Sequence, residues 1–147
     1  MRRVMDAYQE ALKEISRKKP NVIRVRSLLE SSLRAGNPNA AYALGTWYLH
    51  GAHLPRDRKK AMALLRQAAK QNVPNALFDV AVSYEKGIGV RKNPGLAFNH
   101  YVRAALHGER QSVYEVGRCY YHGIGVDVNR RLAKIWLERA RELGISK

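Results

Sequence analysis

The chain has 147 residues, 46% of them hydrophobic and 27% charged, enough apolar content for a packed core, which excludes a compositionally disordered chain. Lys and Arg number 27 against 12 Asp and Glu, a formal net charge of +15 that points to acidic proteins, nucleic acid or anionic surfaces as partners. No apolar run approaches the about 18 residues of a membrane span, and a single cysteine, Cys119, excludes an intrachain disulfide.

The N-terminal segment turns acidic and polar by Asp6, unlike an export signal, so the expected location is cytoplasmic. A first helix is predicted over 3–16, with Met5, Tyr8, Leu12 and Ile15 as its apolar stripe. Val25, Leu29, Leu33 and Gly36 predict its partner, each lying 36 residues before Ala61, Leu65, Ala69 and Asn72. Over 39–50, Ala40, Ala41, Leu44, Trp47 and Tyr48 share one side at helical spacing, and Gly51 breaks the helix. Asp57 can cap the next, 59–71, with Ala61, Leu64, Leu65, Ala68 and Ala69 facing inward.

That arrangement then recurs at a spacing of 36. Tyr48, Tyr84 and Tyr120 align; so do Gly51, Gly87 and Gly123, Leu54, Val90 and Val126, Ala61, Ala97 and Ala133, and Ala68, Ala104 and Ala140. Residues 75–108 and 111–144 share twelve identities, including Gly-Ile-Gly-Val at 87–90 and 123–126. Such a period is the mark of stacked helical units. The expected organisation is a single repeat domain over 3–147, in units 3–38, 39–74, 75–110 and 111–146, the first degenerate as a terminal cap. No segment alternates like a strand. The fold class is all-α, a solenoid of helix-loop-helix units.

These columns resemble the Sel-one-like repeat family, a longer-looped relative of the tetratricopeptide repeat. Its pattern, Ala-x-x-x-Leu-Gly-x-x-Tyr-x-x-Gly-x-Gly-Val-x-x-Asp-x-x-Lys-Ala, is followed by Ala40, Leu44, Gly45, Tyr48, Gly51, Leu54, Asp57, Lys60 and Ala61. The last unit keeps Gly117, Tyr120, Gly123, Gly125, Val126, Ala133, Trp136 and Ala140. His53 replaces a loop glycine, Asn93 and Asn129 replace the loop Asp, and the first unit lacks the Tyr/Gly signature. The resemblance implies a right-handed superhelix whose first helices line a concave surface, and a bacterial-type binding scaffold without catalysis. Small members can also be immunity partners of secreted toxins.

By the same analogy, Tyr42, Thr46, Leu49 and His50 face the groove, followed by Phe78, Val82, Glu85 and Lys86, then Tyr114, Arg118, Tyr121 and His122. Asp6, Glu10, Lys13 and Glu14 occupy those columns in the cap, so the groove floor is expected to run from acidic to basic and orient a bound peptide. The aromatic column Tyr42–Phe78–Tyr114 fits two readings, anchors for a partner or packing between units. A basic ridge is expected from Arg56, Arg58, Lys59, Lys60, Arg91, Lys92, Arg130 and Arg131, continued by Arg17, Lys18 and Lys19. It suits an acidic protein surface or a phosphate backbone, and equally a solvated edge that keeps the chain soluble. No aromatic residues interleave with it as a stacking platform requires.

The histidines His50, His53, His100, His107 and His122 lack metal-ligand spacing, and the Gly-Ile-Gly-Val runs follow helices where a dinucleotide turn follows a strand. Cys119 reads as an inert core thiol. No cofactor, metal or catalytic residue is expected. The expected partner is another protein or peptide with an acidic surface, with nucleic acid as the competing class. The chain is expected to be a monomer, or a weak dimer through terminal helices near Trp136 and Leu137.

Overall fold

The computed structural model describes residues 5–145. Among them are eight helices and no strand: α1 (Ala7–Ile15), α2 (Val22–Arg34), α3 (Pro38–His50), α4 (Arg58–Lys70), α5 (Pro74–Lys86), α6 (Pro94–Leu106), α7 (Arg110–His122) and α8 (Arg130–Glu142). Each odd-numbered helix packs most extensively on the even-numbered helix after it, and each pair then stacks on the next. The architecture is an α-solenoid.

Local chemistry sets the boundaries. Proline opens α3, α5 and α6, where its missing N–H costs nothing. The Asp57, Asn93 and Asn129 side chains accept from the third backbone N–H of α4, α6 and α8. The backbone N–H of each of these caps donates to the carbonyl of Tyr48, Tyr84 or Tyr120, at 2.8–2.9 Å, so the tyrosine column also ties down the loop. Gly51, Gly87 and Gly123 end α3, α5 and α7 in the left-handed conformation.

Small residues let the helices approach. Ala40, Ala61, Ala68, Ala76, Ala97, Ala104, Ala133 and Ala140 are fully buried. A Cβ on Gly45 or Gly117 would press into Leu65 or Leu137 of the paired helix. Leu65, Leu77, Val80, Tyr101 and Val116 fill the central core, and Met62 joins them. Burial of each large side chain contributes about 1.5–3 kcal/mol.

Two loop glycines have a second duty. A Cβ on Gly89 would strike the Arg58 carbonyl, and one on Gly125 the Pro94 carbonyl, each at the start of the preceding pair's second helix. His53 holds the equivalent left-handed position at φ 63° and lays its ring 4.7 Å from that of Trp47.

The first pair departs from expectation. Helix α1 begins at Ala7 because Asp6 forms a capping box with Gln9, and residues 3 and 4 lie outside the described residues. Its buried positions are Ala11 and Glu14, whereas Met5 and Leu12 are 38% and 47% exposed. Leu12 shares the Tyr48 column, but Lys18 stands where Leu54 plugs the loop of the second pair. Without that apolar plug, Leu12 stays uncovered.

Candidate binding surfaces

Along the first helices, charge is neutralised from within. Arg118, on α7, reaches Glu85 of α5 at 2.7 Å and Glu115 of its own helix at 2.6 Å. Glu85 also accepts from the Tyr101 hydroxyl at 2.8 Å. Burial works against the Arg118 charge, but the hydrogen bonds to Glu85 and Glu115 outweigh it and hold the guanidinium above its ordinary value. Burial likewise pushes Glu85 up, and its Arg118 and Tyr101 hydrogen bonds bring it net below the ordinary carboxylate range. At the other end, Glu14 takes Arg17 at 3.2 Å and Arg24 at 3.7 Å, while Glu10 faces Arg24 at 3.8 Å and Asp6 caps α1. The anticipated gradient from acidic to basic is therefore largely spent on internal pairs.

The aromatic column divides. Tyr42 and Phe78 are half-buried against the central core, with the Phe78 ring 6.0 Å from that of Tyr101. Leu49 and Val82 also pack on that core, and the Thr46 hydroxyl bonds back to the Ala43 carbonyl at 2.8 Å. His50, Lys86 and His122 are exposed. Beside Tyr42 lies Asp79, which the sequence reading did not select. Burial, opposed by His50 and reinforced by Glu109, raises its carboxyl from 3.8 to about 6. Cys119 is fully buried, and burial pushes its thiol to about 12.

Tyr114, Arg118, Tyr121 and His122 do come together. With Leu137, Arg141 and Ile145 they line a cavity of about 330 Å³ between α7 and α8. A second cavity of about 300 Å³ adjoins it through Tyr121, Leu137 and Arg141, and adds Arg130, Lys134 and Glu138. Arg130 stacks 3.8 Å above the Tyr121 ring and donates from Nε to the Tyr121 carbonyl at 2.9 Å. The signal for Arg141 was present in its column, where Ala69 and Ala105 precede it.

The second helices differ in kind. Together they carry fourteen Lys and Arg against three Glu, whereas the first helices carry four against five Asp and Glu. Arg56, Arg58, Lys59, Lys60, Arg91, Lys92, Arg130 and Arg131 are all exposed, and none is paired with a carboxylate among the described residues. Lys60 lies 4.7 Å above the Tyr48 ring. Arg66, Arg91 and Lys92 border a cavity of about 450 Å³ with Tyr84, Val90 and Asn93.

Sel1 repeats are recognised at residues 38–73, 74–109 and 111–145, most of the chain. The chain belongs to the Sel1 repeat family. A Sel1 repeat protein from Oxalobacter formigenes is 38% identical, with a TM-score of 0.72 over 79% of this chain and 87% of that one. A protective antigen of uropathogenic Escherichia coli with an SLR fold superposes at a TM-score of 0.88 and 23% identity over 94% of this chain, which spans 30% of the antigen. An immunity protein from Pseudomonas aeruginosa superposes at 0.61 and 21% identity over 94% of this chain and 52% of its own. No curated protein shows significant sequence similarity. Sel1 repeat proteins are generally protein-interaction scaffolds, typically non-catalytic. No helix among the described residues is long and apolar enough to cross a membrane.

Proposed function

We propose that this Sel1 repeat chain binds an acidic partner protein without catalysing a reaction. The first helices supply the recognition surface, through Tyr42, Thr46, His50, Phe78, Val82, Lys86, Tyr114, Arg118, Tyr121 and His122. The second-helix edge supplies attraction. The observation that carries this reading is the row of exposed, unpaired cations in the loops and at the starts of the second helices, where Arg56 and Lys92, Arg58 and Arg130, and Lys59 and Arg131 share columns between two of the pairs. Such a row raises the encounter rate with an acidic surface and penalises basic competitors. Neutralising a toxin by direct binding is one form this activity takes in the reading. Its support is the fold shared with the Pseudomonas aeruginosa immunity protein.

Affinity capture from a native lysate, with and without nuclease, tests the proposal. A protein retained after nuclease treatment is expected, with affinity that falls moderately with salt. Recovery that collapses with nuclease, with a steep salt slope, assigns the edge to a phosphate backbone and overturns the proposal.

A further inference from the structure

We infer that the depression lined by α7 and α8 docks an acidic peptide segment carrying one or two large apolar side chains. The inference rests on the protein-binding reading and gives it a place and a chemistry.

Three columns of the second helices carry the argument. They read Met62, Phe98 and Lys134; then Leu65, Tyr101 and Leu137; then Ala69, Ala105 and Arg141. Met62, Leu65, Ala69 and Tyr101 are buried in the central core, which Phe98 also joins. In the last pair only the middle column remains apolar. Leu137 is half-buried behind Gly117, while Lys134 and Arg141 are exposed.

The depression formed there has an apolar floor of Tyr114, Tyr121, Leu137 and Ile145 and adjoining volumes of about 330 and 300 Å³. That is room for one or two side chains, at the lower end of ligand-pocket sizes. Its rim is unbalanced. Arg118 is more than balanced by Glu85 and Glu115, whereas among the remaining lining residues Arg130, Lys134 and Arg141 face Glu138 alone, so the depression keeps a net positive charge. Stacking on Tyr121 already orders Arg130, so little freedom is lost when it meets a carboxylate. An apolar helix face laid here would bury Lys134 and Arg141 without partners, which is strongly unfavourable. An aromatic or leucyl side chain flanked by carboxylates satisfies both floor and rim.

The test is fluorescence anisotropy with the full chain and three labelled octapeptides: glutamates around a central Phe-Leu pair, glutamates alone, and lysines around the same pair. The glutamate peptide with Phe-Leu is expected to bind at least tenfold more tightly than either other. Lys134→Glu combined with Arg141→Glu is expected to weaken it at least tenfold, and Tyr121→Ser severalfold. Ser27→Glu with Ser31→Glu, exposed on α2 and away from both the depression and the basic edge, is expected to change it less than twofold. Circular dichroism melts establish that each variant is folded.

Equal binding of the all-glutamate peptide overturns the inference, because charge alone then suffices. So does a double reversal at Lys134 and Arg141 without effect, or a dimer seen by sedimentation in the parent and lost in that variant, which assigns the face to a second copy. A captured partner that binds parent and variant equally overturns this site and leaves the protein-binding function standing. Failure to capture any protein overturns the function itself, whatever the peptides do.

Discussion

First and second helices of this solenoid handle charge in opposite ways. On the first helices, carboxylates and guanidinium groups meet across pairs, as Arg118 meets Glu85, and little net charge is left over. On the second helices, cations outnumber carboxylates and all but Arg103 are exposed. Paired, half-buried charge specifies how neighbouring pairs sit on each other. Unpaired, exposed charge contributes almost nothing to stability and is free to act on a partner.

Breaking the internal pairing has the largest expected effect. Arg118→Met leaves Glu85 and Glu115 half-buried without their cation and is expected to cost about 2–3 kcal/mol in urea unfolding at pH 7. Glu85 is held below its ordinary value, so this contribution is present at neutral pH and is lost as the pH falls through that lowered value. The deficit of the variant should therefore shrink in acid. A deficit unchanged down to pH 3 would place its origin in packing alone.

Asp79 behaves in the reverse sense. Its raised value means that the protonated carboxyl stabilises the fold fully below 3.8, and that this stability is lost as the pH rises through about 6. Asp79→Asn is expected to stabilise the chain by about 1–2 kcal/mol at pH 7.5, allowing for partial exposure, and by nothing near pH 3. Paired melts across that range measure it.

The smallest stability effect is expected on the other face. Lys59→Glu with Arg91→Glu should move unfolding by less than about 0.5 kcal/mol. The same reversal should lower the association rate of the captured partner, most visibly at low salt. A reversal that unfolds the chain would erase the contrast between the two kinds of helix.

Much of this was legible in the sequence because the period of 36 repeats the same physical demand. Tyr48, Tyr84 and Tyr120 recur because each ring packs in or against the hydrophobic core beside its loop, and Ala61, Ala97 and Ala133 because a larger side chain would part the helices. The first pair was harder to read. Leu12 looks like a core residue until Lys18 is seen in the place of Leu54. The Arg118 pairing was hidden for a related reason, since Glu85 lies in the preceding unit and Glu115 carries no signature of the repeat. The end cavity was half visible, because Tyr114, Arg118, Tyr121 and His122 were selected as groove positions. Leu137 and Arg141 come from the opposite helix of the same pair, and a pattern read along one helix cannot join them.

The seats of Gly89 and Gly125 against Arg58 and Pro94 bear on how the molecule comes apart. Each loop can close only where the preceding pair has already shaped the start of its second helix, so the order of one unit is a condition for the next. In a one-dimensional array that dependence is a nearest-neighbour coupling, and its strength sets how many units melt together. A side chain forced into either seat would loosen that coupling while leaving each helix pair intact, and would turn one cooperative transition into a sequence of smaller ones.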